Sequence, residues 1–227
     1  MNIVKRIYER LYQFYGPQHW WPGDTPEEVI IGAVLTQNTN WQNVKQAIHN
    51  LRNAGLLSLD RIAHISLDNL SQLIRPSGYY NIKAVRLKSA AEFFLNRCRG
   101  NLKSLKDVPL VILRRELLQI HGVGEETADS ILLYALERPV FVVDAYTRRM
   151  GTRHGLFKDH LDYDSVRLFF ETLLPLSVPL YNEYHALLVR LGKNFCRPKP
   201  LCQACPLYAY RYFTTSGRTF LKKQRNP

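Results

Sequence analysis

The sequence predicts an all-α fold, because apolar residues recur at helical spacing along almost the whole chain. The only strand-like run is residues 140–143 (VFVV), and it has no apolar partner run, so we interpret it as a buried loop. The chain has 227 residues and is 46% hydrophobic, which suffices for the core of one domain or of two small ones. We therefore expect two all-α lobes with a cleft between them.

Capping residues mark where several helices begin and end. Residues 25–28 (TPEE) combine an N-cap hydroxyl, a proline at the first helical position and a glutamate at the third, the pattern of a capping box. This signal predicts a helix through residues 29–34. The same spacing and stop signals predict further helices around 44–51, 67–74 and 85–95, on both sides of residue 122, and at 145–153, 164–174 and 179–192.

Charge indicates a polyanionic partner, because 31 basic and 19 acidic residues give a net charge of +12. A merely basic soluble protein is the alternative. No apolar run approaches the roughly 18 residues that cross a membrane, and the first residues do not resemble a signal peptide. We therefore expect a cytoplasmic protein without a membrane partner. The four cysteines are too few for a disulfide framework.

Residues 117–132 predict two helices joined by a tight turn at Gly122-Val123-Gly124. Glycines permit backbone angles that other residues avoid, and the turn leads into Glu125, the start of the second helix. The free N–H groups of a helix N-terminus bind anions such as phosphate. A plain helical corner would show the same pattern. Asp144, which follows the apolar run 140–143, would then act on the nucleotide beside that phosphate.

Five motifs occur in consistent order between about residues 20 and 210. They are 35–39 (LTQNT), 78–84 (GYYNIKA), 120–128 (IHGVGEETA), 143–144 (VD) and 191–196 (LGKNFC). Together they resemble the helix-hairpin-helix DNA glycosylases of the endonuclease III superfamily. The resemblance implies a six-helix lobe at 22–137, with the hairpin at about 117–132. It implies a second helical lobe from 1–21 with 138–227, and an active-site cleft between the lobes that receives a base flipped out of the duplex.

The resemblance also assigns roles to individual residues. Asp144 takes the place of the catalytic aspartate, which stabilises positive charge on the sugar and activates water; it would also cap the helix that starts at Ala145. Asn38 would fill the hole left by the flipped base, Tyr79 would wedge against the orphaned partner, and Lys83 would touch phosphate. The predicted DNA-binding residues are Gln37, Asn38, Tyr79, Lys83, Gly122, Val123, Gly124, Glu125 and Thr127.

Two positions separate branches of the superfamily. Bifunctional members carry a lysine at the position of Glu126, and its amine attacks the sugar and permits strand cleavage. Glutamate cannot form the imine, so we expect a monofunctional enzyme that leaves an intact abasic site, unless another lysine substitutes. Members that act on adenine mismatches use a glutamate where this chain has Ala33, which disfavours that branch.

All three tryptophans fall at two places, Trp20-Trp21-Pro22 and Trp41. Flat aromatic faces suit an extruded base, with stacking that contributes about 1–3 kcal/mol. A cationic alkylated purine gains cation–π attraction as well. Core packing is the alternative interpretation of these residues.

A narrower resemblance supports the pocket interpretation. Residues 20–22, 34–39, 75–81 and 142–144 are similar to the 3-methyladenine DNA glycosylase III branch. That branch stacks the lesion between an aromatic residue at the Trp41 position and the Trp-Pro segment, and has a lysine at the position of Lys193. We therefore expect a monofunctional glycosylase for alkylated purines. The alternatives are an endonuclease III-like glycosylase and lyase for oxidised pyrimidines, or a non-catalytic lesion-binding protein.

Cys196, Cys202 and Cys205 resemble the superfamily's four-cysteine [4Fe–4S] site, but the fourth position is Arg211. Three interpretations stay open: a cluster with an external ligand, a zinc site, or a remnant loop that packs without metal. The glycosylase chemistry itself requires no cofactor. The resemblance implies a monomer that binds double-stranded DNA in a bacterial-type nucleoid.

Overall fold

The computed structural model describes residues 2–20 and 23–210. Within these ranges the protein contains eleven α-helices and no β-strand, which confirms the all-α prediction. The chain forms two compact units, Met1–Trp20 with Pro139–Pro227, and Trp21–Arg138. In the described part of the chain, no helix combines the length and apolar character needed to span a membrane.

The 21–138 unit is built around its longest helix, α6, which packs against α2, α4 and α5. The described residues of this unit form seven α-helices, and one of them, α5, is a separate short helix because Ser66 caps it just after α4 ends at His64. The helices are α2 (Pro26–Leu35), α3 (Trp41–Asn53), α4 (Leu59–His64), α5 (Leu67–Leu73), α6 (Tyr80–Cys98), α7 (Leu110–Leu118) and α8 (Glu125–Ser130).

The predicted capping box at α2 forms with one change. Thr25 Oγ1 accepts a hydrogen bond from the Glu28 backbone N–H at 3.1 Å, as expected. The Glu28 carboxylate accepts from the backbone N–H of Asp24 at 3.4 Å, one residue earlier than a standard box, and from Arg52 at 2.8 Å. The buried Glu28 thus joins the start of α2 to α3.

The second unit contains four α-helices among its described residues: α1 (Ile3–Tyr15), α9 (Ala145–Arg153), α10 (Tyr163–Leu173) and α11 (Val178–Asn194). Residues 140–143 are irregular and buried, which confirms the buried-loop prediction. Phe141 stacks on Phe170 with ring centroids 4.3 Å apart, and its backbone N–H donates to Glu171 at 2.9 Å. A side-chain acceptor thus takes the place of a strand partner for the backbone of this loop. The loop ends at Asp144, the N-cap of α9.

Candidate active site and hairpin

Asp144 stands at the N-cap of α9 and is 8% exposed. Its Oδ1 accepts a hydrogen bond from the Thr147 backbone N–H at 2.7 Å. Its Oδ2 lies 3.5 Å from Nε2 of His185, a residue of α11 that is 7% exposed. That separation suits an ion pair with a protonated imidazole and is long for a good hydrogen bond. The cap therefore holds one carboxylate oxygen and leaves the other beside the imidazole.

Asp144 is ionised at neutral pH despite its burial. Burial by itself raises the pKa of the carboxyl group, but the neighbouring His185 and the Thr147 backbone N–H outweigh it and hold the pKa below the ordinary value of 3.8. An ionised carboxylate can accept a proton or stabilise a cation, and it cannot serve as a general acid. His185 was not predicted from sequence. The available signal was a single histidine among the aromatic and apolar residues of the buried side of α11.

The residues predicted to line a base pocket are distributed over both units. Trp20 is half-buried, and its indole N–H has no hydrogen-bond partner among the described residues. Lys193 is exposed in the last turn of α11. Trp41 begins α3, and its ring packs against α2, where a Cβ on Gly32 would lie 3.6 Å from the ring. Trp21 and Pro22 lie outside the described residues.

The hairpin between α7 and α8 depends on Gly122. Its φ is +78°, and a Cβ at this position would lie 2.2 Å from Cγ of Arg86. The turn closes with a hydrogen bond from the Val123 N–H to the Ile120 carbonyl at 3.0 Å. Gly124 differs, because its φ is −91° and a Cβ added there would meet no heavy atom within 4 Å. Gly124 and Glu125 are exposed, whereas Val123 is buried.

An ion pair that the sequence did not predict clamps the two hairpin helices together. Arg114 of α7 donates to both oxygens of Asp129 on α8, at 2.7 Å and 3.2 Å. Asp129 is fully buried and Arg114 is nearly so. Two-point geometry of this kind sets the angle between the partners as well as their distance. The clamp therefore orients the exposed end of α8.

Two predicted DNA contacts, Gln37 and Thr127, are engaged in hydrogen bonds inside the protein. The Gln37 amide nitrogen donates to the Gly122 carbonyl at 2.9 Å and to the buried Thr127 hydroxyl at 3.0 Å. The Gln37 amide oxygen accepts from Arg86 at 2.6 Å. Both side chains therefore support the hairpin, and their predicted contact with DNA stays a prediction.

The other loop residues divide into exposed and buried ones. Asn38 and Tyr79 are exposed, Tyr79 to 65%, and both adopt left-handed backbone angles, with φ of +51° and +46°. Lys83 is only 2% exposed, and its ammonium donates to the carbonyls of Leu35 and Ser77. The predicted phosphate contact of Lys83 is wrong for this conformation, because two carbonyl oxygens inside the unit already hold the ammonium.

Cys196, Cys202 and Cys205 belong to a loop that follows α11. Among the described residues, no group of three or more histidine, cysteine, aspartate or glutamate side chains could hold a metal ion. Burial raises the pKa of Cys205 to about 11, which opposes the thiolate form that a metal needs. Arginines instead hold the loop backbone: Arg149 donates to the Cys196 carbonyl at 2.6 Å, and Arg153 donates to the Arg197 carbonyl at 2.6 Å. Arg211 lies outside the described residues.

Comparison with known proteins agrees with this architecture. A family model described as HhH-GPD superfamily base excision DNA repair protein matches residues 31–176. A protein of Methanocaldococcus jannaschii, named provisionally as a DNA repair glycosylase, is 49% identical over 208 residues, covering 91% of this chain and 94% of its own. Endonuclease III of Sulfolobus acidocaldarius is 30% identical over 183 residues, covering 80% of this chain and 79% of its own.

Two solved structures are also similar. The H. pylori 3-methyladenine DNA glycosylase bound to 1,N6-ethenoadenine is 31% identical with a TM-score of 0.73, covering 84% of this chain and 97% of that one. An endonuclease III–DNA complex is 21% identical with a TM-score of 0.79, covering 98% of this chain and 100% of that one, a likeness in fold alone. Family model, relatives and structures agree, and they confirm the resemblance predicted from sequence: the chain belongs to the HhH-GPD superfamily of base excision DNA repair proteins.

Proposed function

We propose that this protein is a monofunctional DNA glycosylase that releases alkylated purines of the 3-methyladenine type from double-stranded DNA. The observation that carries the proposal is Asp144, a nearly buried carboxylate whose pKa lies below its ordinary value. A helix cap requires neither the burial of its carboxylate nor a buried imidazole beside it. The arrangement suits a group that must stay negative where positive charge develops.

The reaction follows from that charge. The bond between the sugar C1′ and the base nitrogen breaks, and the base leaves with the electron pair, so positive charge develops on the sugar. The Asp144 carboxylate stabilises that charge and accepts a proton from the water that adds to C1′. The products are a free base and an abasic site in an unbroken strand.

Residue 126 supports water as the nucleophile. An amine is needed to form the Schiff base that leads to strand cleavage, and Glu126 supplies a carboxylate instead. Glu126 is exposed in the first turn of α8, where a negative side chain also favours the helix N-terminus. Hydrolysis without strand cleavage is therefore the expected chemistry.

The substrate class rests on the aromatic residues and on one relative. Trp20 and Trp41 are half-buried, so each keeps part of its ring available for stacking. The similar H. pylori enzyme is named as a 3-methyladenine DNA glycosylase. A cationic alkylated purine leaves as a neutral base, so it needs little help from an acid, which agrees with an active site built around an ionised carboxylate.

One alternative has a specific observation in its favour. The relative from S. acidocaldarius is named endonuclease III, which supports an endonuclease III-like glycosylase and lyase for oxidised pyrimidines. Glu126 argues against the lyase half of that activity. A non-catalytic lesion-binding protein is the third candidate, and the burial of the Asp144 carboxylate beside His185 argues against it.

The decisive experiment measures base release from methylated duplex DNA, with half of each sample treated with alkali. Release of 3-methyladenine with nicks only after alkali would support the proposal. Nicks without alkali, together with an adduct trapped by borohydride, would favour the endonuclease III-like alternative. If neither alkylated nor oxidised bases are released, while lesion-containing duplex is still bound, the protein is a binding protein.

A further inference from the structure

Helix α6 directs a buried lysine toward two neighbouring loops. Lys83 Nζ donates to the Leu35 carbonyl at 2.9 Å and to the Ser77 carbonyl at 2.6 Å. Leu35 ends α2, and Ser77 belongs to the short 3₁₀ turn before Gly78. One ammonium group therefore connects the 36–39 loop, which begins just after Leu35, with the 75–79 loop, which contains Ser77.

Each of these two loops presents one exposed residue in a left-handed conformation. Asn38 and Tyr79 both have positive φ; asparagine adopts this region readily, whereas tyrosine does so only where its surroundings support it. Both side chains point away from the core, as their exposure shows. Lys83 is buried, and its two hydrogen bonds fix the distance between the two loops.

Arg86 extends the same support to the hairpin. It follows Lys83 by one helical turn, and its Nη1 donates to Gln37 at 2.6 Å. Gln37 in turn donates to the Gly122 carbonyl and the Thr127 hydroxyl, and the Arg86 stem packs against Gly122. Two cations of one helix thus connect three loops.

Core packing alone does not account for Lys83. Burying an ammonium is unfavourable, and this cost, together with the charge of Arg86, lowers the pKa of Lys83 to about 8. A methionine would fill a similar volume without that cost. Lys83 instead donates two directed hydrogen bonds, one to each of two segments that form no regular secondary structure with each other.

We propose that Lys83 and Arg86 are positioning residues that hold the Asn38, Tyr79 and hairpin loops in the single arrangement that keeps a base extruded from the duplex. The proposal deepens the proposed function, on which it rests for DNA as the ligand. It does not depend on which base is released. The two residues act through the loops and contact no reacting atom.

The same helix offers a matched control. Lys88 Nζ also donates to two carbonyls, Ala63 and Ile65, each at 2.7 Å. These carbonyls lie at the junction of α4 and α5, away from the three loops. Lys88→Met therefore removes the same kind of interaction from the same helix without touching the loops.

The first test uses a duplex with a tetrahydrofuran abasic analogue and 2-aminopurine as the opposite base. Fluorescence of 2-aminopurine rises when it unstacks, so the signal needs no base release. At saturating protein, Lys83→Met and Arg86→Met are expected to lose most of the wild-type fluorescence gain, whereas Lys88→Met keeps it. Should Lys83→Met not fold, Lys83→Gln gives the comparison, because the glutamine side chain is one atom shorter and its neutral amide makes weaker hydrogen bonds to the two carbonyls. Equal losses in the Lys83 and Lys88 variants would overturn the proposal.

A second readout separates positioning from a general structural defect. Single-turnover base release is measured for a damaged base opposite its normal partner and opposite an abasic site, where extrusion is easier. Lys83→Met is expected to slow the paired substrate about 10- to 100-fold and the unpaired one far less. A uniform loss on both substrates would contradict the proposal. A wild-type protein that unstacks 2-aminopurine but releases no alkylated base would disprove the proposed substrate and leave the positioning role standing.

Discussion

Asp144 Oδ2 and His185 Nε2 lie 3.5 Å apart, and both side chains are less than a tenth exposed. They come from the start of α9 and the middle of α11, and the Thr147 N–H fixes the other carboxylate oxygen. The helix cap sets the orientation of the carboxylate, and the imidazole favours its ionised form. Asp144 thus caps α9 through Oδ1 and takes part in the proposed chemistry through Oδ2.

Replacing Asp144 with asparagine separates these two roles. Asparagine caps a helix about as well as aspartate, so the cap at α9 is kept. We expect Asp144→Asn to slow single-turnover base release about 10²- to 10⁴-fold, because the charge and the proton acceptor are lost. Thermal unfolding of the same variant checks that it is folded. Release at the wild-type rate would remove Asp144 from the mechanism.

His185→Gln is expected to shift the acid limb of the pH–activity profile to higher pH. His185 is among the causes that lower the pKa of Asp144, so its loss raises that pKa and the carboxylate becomes protonated at a higher pH. The measurement is the profile of kcat/KM between about pH 4 and pH 8. His160→Gln, at an exposed position of the same unit, is the control. An unshifted acid limb would contradict this relation.

The free energy of unfolding should depend on the same titration of Asp144. Because the pKa of Asp144 is lowered on folding, its ionisation stabilises the native state fully above the ordinary value of 3.8 and loses this effect as the pH falls through the folded pKa. In His185→Gln the folded pKa lies higher, so the stability lost on acidification is expected to be smaller and its loss to be complete at a higher pH. Urea unfolding at a series of pH values would show it.

The two hairpin glycines are expected to differ in their tolerance of alanine. Gly122→Ala places a methyl group 2.2 Å from Arg86 at a positive φ, so we expect it to cost about 1–3 kcal/mol and to weaken DNA binding. Gly124→Ala meets no heavy atom within 4 Å, but Gly124 is the N-cap of α8, where alanine is less favourable than glycine, so we expect a smaller cost of about 0.5–1 kcal/mol. Urea unfolding and duplex binding at one fixed salt concentration are the measurements. Equal costs at both positions would argue against the close contact with Arg86.

Removal of metal is expected to leave the protein unchanged. Arg149 and Arg153 hold the backbone of the cysteine loop, and the described residues do not form a metal-binding group. Dialysis against a chelator should therefore alter neither the melting temperature nor base release. Iron present in whole-number stoichiometry, with a visible absorbance lost on oxidation, would show instead that the three cysteines hold a cluster.

Local signals in the sequence predicted most helices and the position of Asp144. The helices expected at 145–153, 164–174 and 179–192 correspond to α9, α10 and α11 within one or two residues. Such elements depend on interactions between near neighbours, as in the hydrogen bond by which Asp144 caps α9. The short helix α4 was not predicted, because its six residues present too few turns for a periodic pattern.

Contacts between distant segments were beyond sequence reasoning. The resemblance implied that Lys83 contacts phosphate, yet its ammonium donates to two backbone carbonyls inside the unit. Gln37 and Thr127 were expected to face DNA, yet they bind each other beneath the hairpin. The partners of Asp144 and Asp129, His185 and Arg114, come from other helices.

The sequence by itself determined the helical architecture, the hairpin and the superfamily, because periodicity, caps and glycine turns are encoded among residues close in the chain. Only the tertiary structure decided which polar side chains face inward. That choice depends on whether packing brings a buried donor to an acceptor from another segment, since an unpaired buried group is too costly to keep. The roles of Lys83 and His185 depend on such contacts between distant segments, which no local sequence pattern predicts.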